Sequence, residues 1–370
     1  MSTFGSTHIV TVTGYNSEGD GVARLSDGRV VFIRGAARDD ILEIKLTTKH
    51  PRSARAEIVR ILTPSQHRIN PDCHAYPDCG GCNFRHITYD EELAAKLQRV
   101  NDSMKRLGMQ SIKVNEILQT GQTNGYRNKA VLHCDGSSIG FYRSRSHDII
   151  PIDHCLLLKD DINMALKTLP NGSNTKAITI RSGRNGLKPP LEEELDGLIF
   201  YVRGFFQVNI AAALLLYNKV REYAAMSKNE TLIDMYCGVG SMTLFVGRDA
   251  KHALGIEQNA ASVEAARENA DRNGFSFIEF INADAAAWEA SFPKPDCIIV
   301  DPPRKGLSKE AVKKIIESAP NRIVYVSCDP ATLARDLKAI NGYTPINICA
   351  VDMFPRTSNI ECCCLLTKSK

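Results

Sequence analysis

Between residues 8 and 62 the hydrophobic positions come in short alternating runs, HIVTVTGY, GVARL, RVVFI, DILEIKL and AEIVRIL, broken at Glu18-Gly19-Asp20-Gly21 and Asp27-Gly28. Alternation with period two marks half-buried strands, and glycine beside aspartate marks the turns between them. Short strands so spaced predict a small β-barrel over residues 1–62. A Cys-rich loop follows from Pro71 to His86, after which Asp90–Leu107 carries its apolar residues at helical spacing and stops before Gly108. Residues 111–203 read as mixed strand and loop, with turns at Asn171-Gly172-Ser173-Asn174 and Lys188-Pro189-Pro190. From residue 204 the pattern alternates between helix and strand: QVNIAAALLLYNKVREYAA, ETLIDMYCG, SMTLFVG, HALGIEQ, SVEAARENADRNG, FIEFINAD, DCIIVDPP, KEAVKKIIES, RIVYVSC, ATLARDLKAI. Such alternation predicts an α/β, doubly wound, mainly parallel sheet with ligands at the carboxyl ends of its strands. Three units are therefore expected, at 1–62, 63–203 and 204–370.

Composition changes this picture only at the margins. A chain of 370 residues with 43% hydrophobic residues can bury several cores. No apolar run approaches the roughly 20 residues a bilayer span needs, and the first residues lack the basic and apolar regions of a signal peptide. A soluble, cytoplasmic protein with no membrane partner is expected. Twelve cysteines in such a compartment suggest metal or chemistry more than disulfides. The net charge of +4 gives little global attraction for nucleic acid, but Lys45, Lys49, His50, Arg52, Arg55 and Arg60 face a single acid, Glu57, over one stretch of the barrel. Oligonucleotide-binding barrels make RNA the favoured partner for that stripe, with an ordinary solvated face as the competing reading. No feature fixes an oligomeric state, and a monomer is the expectation.

The nucleotide signal lies at Asp234-Met235-Tyr236-Cys237-Gly238-Val239-Gly240, where a strand turns into a helix. Glycines let the backbone approach a ligand, and Glu257 ends the next strand about 20 residues on, where ribose hydroxyls are bound in such folds. Thr243 stands where a dinucleotide site would have its third glycine. That weakens NAD or FAD and suits S-adenosylmethionine, which has no pyrophosphate. Asp301, held by Pro302-Pro303 at the end of another strand, is a further candidate, against a plain helix cap or surface turn. Asp284 could lie near an adenine.

RIVYVS delivers Cys328 to a strand end, and Asp329-Pro330-Ala331-Thr332 opens a helix. A thiol at a helix N-terminus feels the positive end of the dipole, so a favoured thiolate is expected; the alternative is a buried, inert thiol, as Cys349 and Cys362–Cys364 on apolar strands read. C5 of uracil is a poor nucleophile, but thiolate addition at C6 makes an enolate with density on C5. A base must then remove the C5 proton, and Glu361, before the apolar run CCCLL, could have its pKa raised by burial. An edge-strand surface acid is the other reading.

These residues resemble the S-adenosylmethionine-dependent RNA uracil-C5 methyltransferases, in particular the iron–sulfur branch that modifies 23S ribosomal RNA. Phe205-Phe206-Gln207-Val208-Asn209, DMYCGVGSMTL, DPPRKGL, SCDPATLARDL and DMFPRTSNIE match that family's motifs in order. Met235 and Met242 are the small departures. The resemblance implies an N-terminal OB-like TRAM barrel, a small α+β iron–sulfur domain and a Rossmann-like methyltransferase domain. It implies that Gln207, Tyr236, Glu257 and Asp301 contact S-adenosylmethionine, that Cys328 attacks the ring and that Glu361 accepts the proton. Phe205 or Phe206 would stack on an extruded base. A transfer RNA substrate, or a non-catalytic iron–sulfur RNA-binding protein, are the alternatives.

Cys73, Cys79 and Cys82 fall in one loop, and the resemblance supplies Cys155 as fourth ligand of a [4Fe–4S] cluster. Four thiolates could equally bind zinc. Tyr126-Arg127-Asn128-Lys129 and Phe141-Tyr142-Arg143-Ser144-Arg145 interleave aromatics with cations, as an interface for unpaired bases would, or as solvated loops do.

Overall fold

The computed structural model describes residues 7–106, 112–169, 175–288 and 292–369. The first alternating runs form β1 (Thr7–Thr11), β2 (Gly14–Tyr15), β3 (Gly21–Arg24), β4 (Val30–Ile33), β5 (Ile41–Lys49) and β6 (Ser53–Thr63). They make one sheet in the order β1-β5-β6-β4-β3-β2, curled round Val12, Val31, Ile33, Leu42 and Ile44. HIVTVTGY becomes two strands because Val12 leaves the ladder, its N–H bonding to the Asp40 carbonyl.

The Cys-rich loop leads into α1 (Tyr89–Arg106), which has acids in its first turn and bases in its last, as the helix dipole favours. Its expected end at Leu107 and Gly108, like the turn at Asn171–Asn174, lies outside the described residues. Next come β7 (Ile117–Leu118), β8 (Lys129–Cys134), β9 (Ile139–Tyr142), β10 (Ile149–Pro151), α2 (Asp160–Leu166), β11 (Ala177–Arg181), β12 (Glu192–Leu195) and β13 (Leu198–Tyr201). A four-stranded antiparallel sheet, β10-β9-β8-β11, packs Ala130 and Leu132 on Ile162 and Leu166 of α2. The hydrophobic pattern does not predict α2: in seven residues only Ile162, Asn163 and Leu166 turn inward, too few repeats to reveal a period.

The remaining chain runs α3 (Ile210–Ala224), β14 (Thr231–Met235), α4 (Ser241–Gly247), β15 (His252–Glu257), α5 (Ala260–Arg272), β16 (Ile278–Asn282), β17 (Cys297–Val300), α6 (Lys309–Ser318), β18 (Arg322–Ser327), α7 (Pro330–Ala339), β19 (Tyr343–Val351) and β20 (Glu361–Lys368). The sheet order is β16-β15-β14-β17-β18-β20-β19-β7. β14 to β18 are mutually parallel, whereas β20 inserts antiparallel between β18 and β19. This is the Rossmann-like α/β fold expected. Order reverses at β14, so the carboxyl ends of β14, β15 and β17 open a crevice there.

Two apolar layers clamp the sheet. On one face Leu216, Val220, Leu244 and Phe245 pack on Leu232, Ile299 and Val324. On the other, Val100 and Met104 of α1 join Leu333 and Leu337 of α7 over Ile233, Ile298 and Ile323. Each fully buried Val or Met side chain contributes roughly 1.5–3 kcal/mol, so α1 is firmly seated on the large sheet although more than 200 residues separate it from α7 in sequence. No helix among the described residues is long and apolar enough to cross a membrane.

Candidate active site

The turn after β14 is built to leave its backbone open. Tyr236 sits at φ +70°, a conformation a non-glycine residue holds only under constraint; its N–H and that of Cys237 both donate to the Ile256 carbonyl, at 2.9 and 3.0 Å. Gly240 has φ +79°, and a Cβ there would stand 2.8 Å from the Phe280 ring. Around the ideal Cβ of Gly238 nothing lies within 4 Å, so that face of the turn is free for a ligand. Thr243, in place of a third glycine, donates to the buried Asp234 carboxylate at 2.6 Å. Glu257 accepts from the N–H groups of Gly238 (3.1 Å) and Asn259 (2.8 Å), which fixes its carboxylate at the mouth of the crevice.

Cys328 and Glu361 come together through strand pairing. The antiparallel β18–β20 ladder ends on Ser327 opposite Cys362, so Cys328 and Glu361 stand next to that last pair, close enough for the charge of Glu361 to act on the thiol. Glu361 is buried in an interior strand, which removes the edge-strand reading. Asp301, one residue past β17, completes the edge. Among the described residues, no side chain or backbone donor bonds to the carboxylates of Asp301 or Glu361.

Charge at this edge is lopsided. Burial pushes Asp234 up to about 7, with Asp301 and Glu257 adding repulsion, and burial alone brings Asp301 to about 7. Glu361 is held well above the ordinary carboxylate range by burial and then by Asp301, with Arg304 opposing. The Cys328 thiol goes up to about 11, through burial first and then the charge of Glu361, with Asp301 adding to it and Arg304 opposing. The expectation of a favoured thiolate at this helix N-terminus is thus corrected: burial and two carboxylates raise this thiol. A cation entering the edge would offset them. Arg304, which no expectation from the sequence singled out, is exposed and makes no side-chain hydrogen bond or ion pair among the described residues; its motif, DPPRKGL, was the available signal.

Family models match three stretches of the chain: a TRAM domain over residues 2–59, a methyltransferase small domain over 206–325, and tRNA (Uracil-5-)-methyltransferase over 289–369. Uncharacterized RNA methyltransferases of Caldanaerobacter subterraneus and Synechocystis are each 31% identical, spanning 98% of this chain and 98% and 96% of their own. The chain belongs to the RNA (uracil-5-)-methyltransferase family. A solved structure of Pyrococcus abyssi tRNA (uracil-54, C5)-methyltransferase with S-adenosyl-L-homocysteine shares the fold, with TM-score 0.78 and 24% identity over 97% of this chain and all of that one.

In this RNA methyltransferase the two phenylalanines before Gln207 part company. Phe206 is 2% exposed and packs on Phe200, whereas Phe205 is 71% exposed. Gln207 is buried, its carbonyl accepting from Asn128 (3.3 Å) and Arg181 (3.2 Å). Asn209 caps α3 and donates to the Met353 carbonyl at 3.1 Å, which ties this motif to DMFPRTSNIE. Asp284 is exposed, accepts from the Ala286 N–H at 2.9 Å and raises the Tyr236 phenol by its charge, after burial.

The four cysteines of the central region, Cys73, Cys79, Cys82 and Cys155, line one cavity of about 160 Å³ with Arg85, Phe141 and Ile152. Burial raises Cys82 to about 12, and burial followed by neighbouring thiols raises Cys79 and Cys155. The buried Arg85 donates to Asp72 at 2.7 Å and to the Asn124 side chain at 2.9 Å, its charge acting on the Cys82 thiol, and the Gly81 N–H donates to the Cys79 sulfur at 3.4 Å. Among the described residues, no three His, Cys, Asp or Glu side chains converge as ligands of a metal ion must.

Two expected RNA-facing segments look different in the fold. Tyr126 is buried and donates to the Pro355 carbonyl at 2.9 Å, so no base can stack on it. Tyr142 stacks on His133 at 3.7 Å, while Arg143 pairs with Asp78 and Arg145 with Glu18 and Asp20. In the basic stripe Arg55 pairs with Glu18 at 3.3 Å and Arg60 with Glu43 at 3.1 Å, which weakens its pull on phosphate.

Proposed function

We propose that this enzyme converts a uridine of 23S ribosomal RNA to 5-methyluridine through a covalent Cys328–C6 adduct, with Glu361 removing the C5 proton. The observation that carries the reading is the nearness of Cys328 and Glu361, each next to the Ser327–Cys362 pair that ends the β18–β20 ladder, beside an acid-lined crevice. That crevice suits S-adenosylmethionine, whose sulfonium and ammonium are cations, and its open glycine turn leaves room for the nucleoside. Gln207, Tyr236, Glu257 and Asp301 would hold it, Glu257 through the ribose hydroxyls. When bound it supplies the electrophilic methyl that C5 takes up.

This chain's own residues would carry the following steps. Arg304, the cation opposing both groups, favours the thiolate of Cys328. Its sulfur adds to C6 and electron density moves to C5; after methylation Glu361 takes the C5 proton and the C6–S bond breaks, returning the thiolate. Phe205, exposed where Phe206 is buried, is the better placed of the two rings to stack on the extruded base.

For the central cavity we assign a [4Fe–4S] cluster to Cys73, Cys79, Cys82 and Cys155. Thiols that surround a space, with the cation of Arg85 beside them and an N–H on the Cys79 sulfur, suit several irons better than one zinc, which needs its ligands to meet at a point. Such a cluster would clip the loop to β8 and β9, since methyl transfer needs no redox step.

A transfer RNA substrate is the second reading, favoured by the likeness to the Pyrococcus enzyme, whose name specifies tRNA. Incubating the protein with labelled S-adenosylmethionine and unmodified ribosomal or transfer RNA decides between them, label at C5 of a 23S uridine being the expected result. Glu361→Gln should slow turnover about 10²–10⁴-fold and leave RNA covalently attached to protein on denaturing gels.

A further inference from the structure

Cys328 and Glu361 lie on separate segments, and outside the sheet their turns are tied together by a side chain that belongs to neither. Arg99 of α1 donates through Nη2 to the Asp329 carboxylate and through Nη1 to the Ser358 carbonyl, both at 2.9 Å. Asp329 follows Cys328 directly and caps α7, accepting from the Thr332 N–H at 2.8 Å. Ser358 lies three residues before Glu361, and its N–H donates to the Asn83 side chain at 3.1 Å. One guanidinium therefore spans both turns.

We infer that Arg99 is a positioning residue for the reaction, holding the sulfur that adds to C6 and the carboxylate that takes the C5 proton at a fixed separation. This rests on the proposed roles of Cys328 and Glu361. A planar guanidinium fork suits such a role, because its donors reach two acceptors at once, which a lysine ammonium on one flexible stem does less well. Its base is rigid as well. Val100 and Met104, on the same helix, are buried against α7, and the neighbouring Lys96 is buried between Glu92 (2.7 Å) and Asp352 (2.6 Å). Misplacing reacting groups by about 1 Å can cost on the order of 10²-fold in rate, so losing this tie should act on chemistry before it acts on binding.

The full-length protein carrying Arg99→Ala, Arg99→Lys or Asp329→Asn tests this; the last keeps a capping acceptor for Thr332 and removes the ion pair. Three readings are compared with wild type: kcat, the KM for S-adenosylmethionine, and the single-turnover rate of adduct formation on RNA containing 5-fluorouridine, whose C5 fluorine blocks release. Arg99→Ala should lower kcat and the adduct rate about 10–100-fold with the KM within about twofold, and Arg99→Lys should recover part of both. Asp329→Asn should fall between Arg99→Ala and wild type. Unchanged kcat in Arg99→Ala overturns the inference, as does a loss that follows the KM or the melting temperature, or one that Lys does not relieve at all. Cys328→Ala separates the two levels: if it still methylates, the nucleophile reading fails, whereas a dead Cys328→Ala beside a fully active Arg99→Ala sinks the positioning role alone.

Discussion

The cysteine at the sheet edge and the four cysteines of the central cavity are both half-buried, and burial raises thiols in both places, yet their surroundings differ in kind. Around Cys328 the neighbours are carboxylates and one cation, Arg304, so the thiol meets groups that can move a proton. In the cavity Cys79 and Cys155 meet other thiols, while the cation of Arg85 lines the same space and a backbone N–H donates to the Cys79 sulfur. Neighbours of the first sort suit bond making and breaking; those of the second sort suit holding a bound group whose negative sulfurs need donors. A third set, Cys297 and Cys362–Cys364, is wholly buried among apolar side chains and behaves as packing.

The comparison breaks first at Cys328. Replacing it with Ala should abolish methyl transfer by at least about 10³-fold while S-adenosylmethionine still binds, as calorimetry would show; residual turnover near wild type would leave the two regions indistinguishable in function. Cys79→Ser tests the other side. Anaerobically purified protein should lose its brown absorbance and melt on the order of 5–10 °C lower, whereas whatever fraction stays folded should keep a turnover within about tenfold of wild type. A change of electrostatics alone comes next: Arg304→Gln removes the cation that lowers both Cys328 and Glu361, so both pKa values rise. Because attack and proton removal need the ionised forms, the rising limb of the pH–rate profile should move to higher pH by about 0.5–1 unit. Smallest of all, Cys363→Ala should cost roughly 1–2 kcal/mol of stability in denaturant and leave kcat unchanged.

Much of the fold was legible because periodicity reports on each segment alone. The alternating strands of residues 8–62, the helix after the cysteine loop and the parallel β14–β18 series all follow from it. What it missed was short or shared: α2 spans too few turns to show a period, and β7 is two residues that gain their meaning by pairing with β19. At the candidate site the motifs were visible, and Tyr236, Glu257, Asp301, Cys328 and Glu361 all end at one sheet edge. The segment around Tyr126 misled, because aromatics and cations interleaved in sequence say nothing about the Pro355 carbonyl that takes up its phenol.

The order of residues by itself determined the longer elements, the turn that only small or constrained residues can make, and which acids and thiols stand at strand ends. Tertiary structure alone decided that Phe205 and not Phe206 reaches solvent, that the Cys328 thiol is pushed up and not down, and that Arg99 joins two turns more than 200 residues away. The reason is range: backbone preference acts over a few residues, whereas burial and Coulomb forces depend on whichever side chains folding brings within a few ångströms.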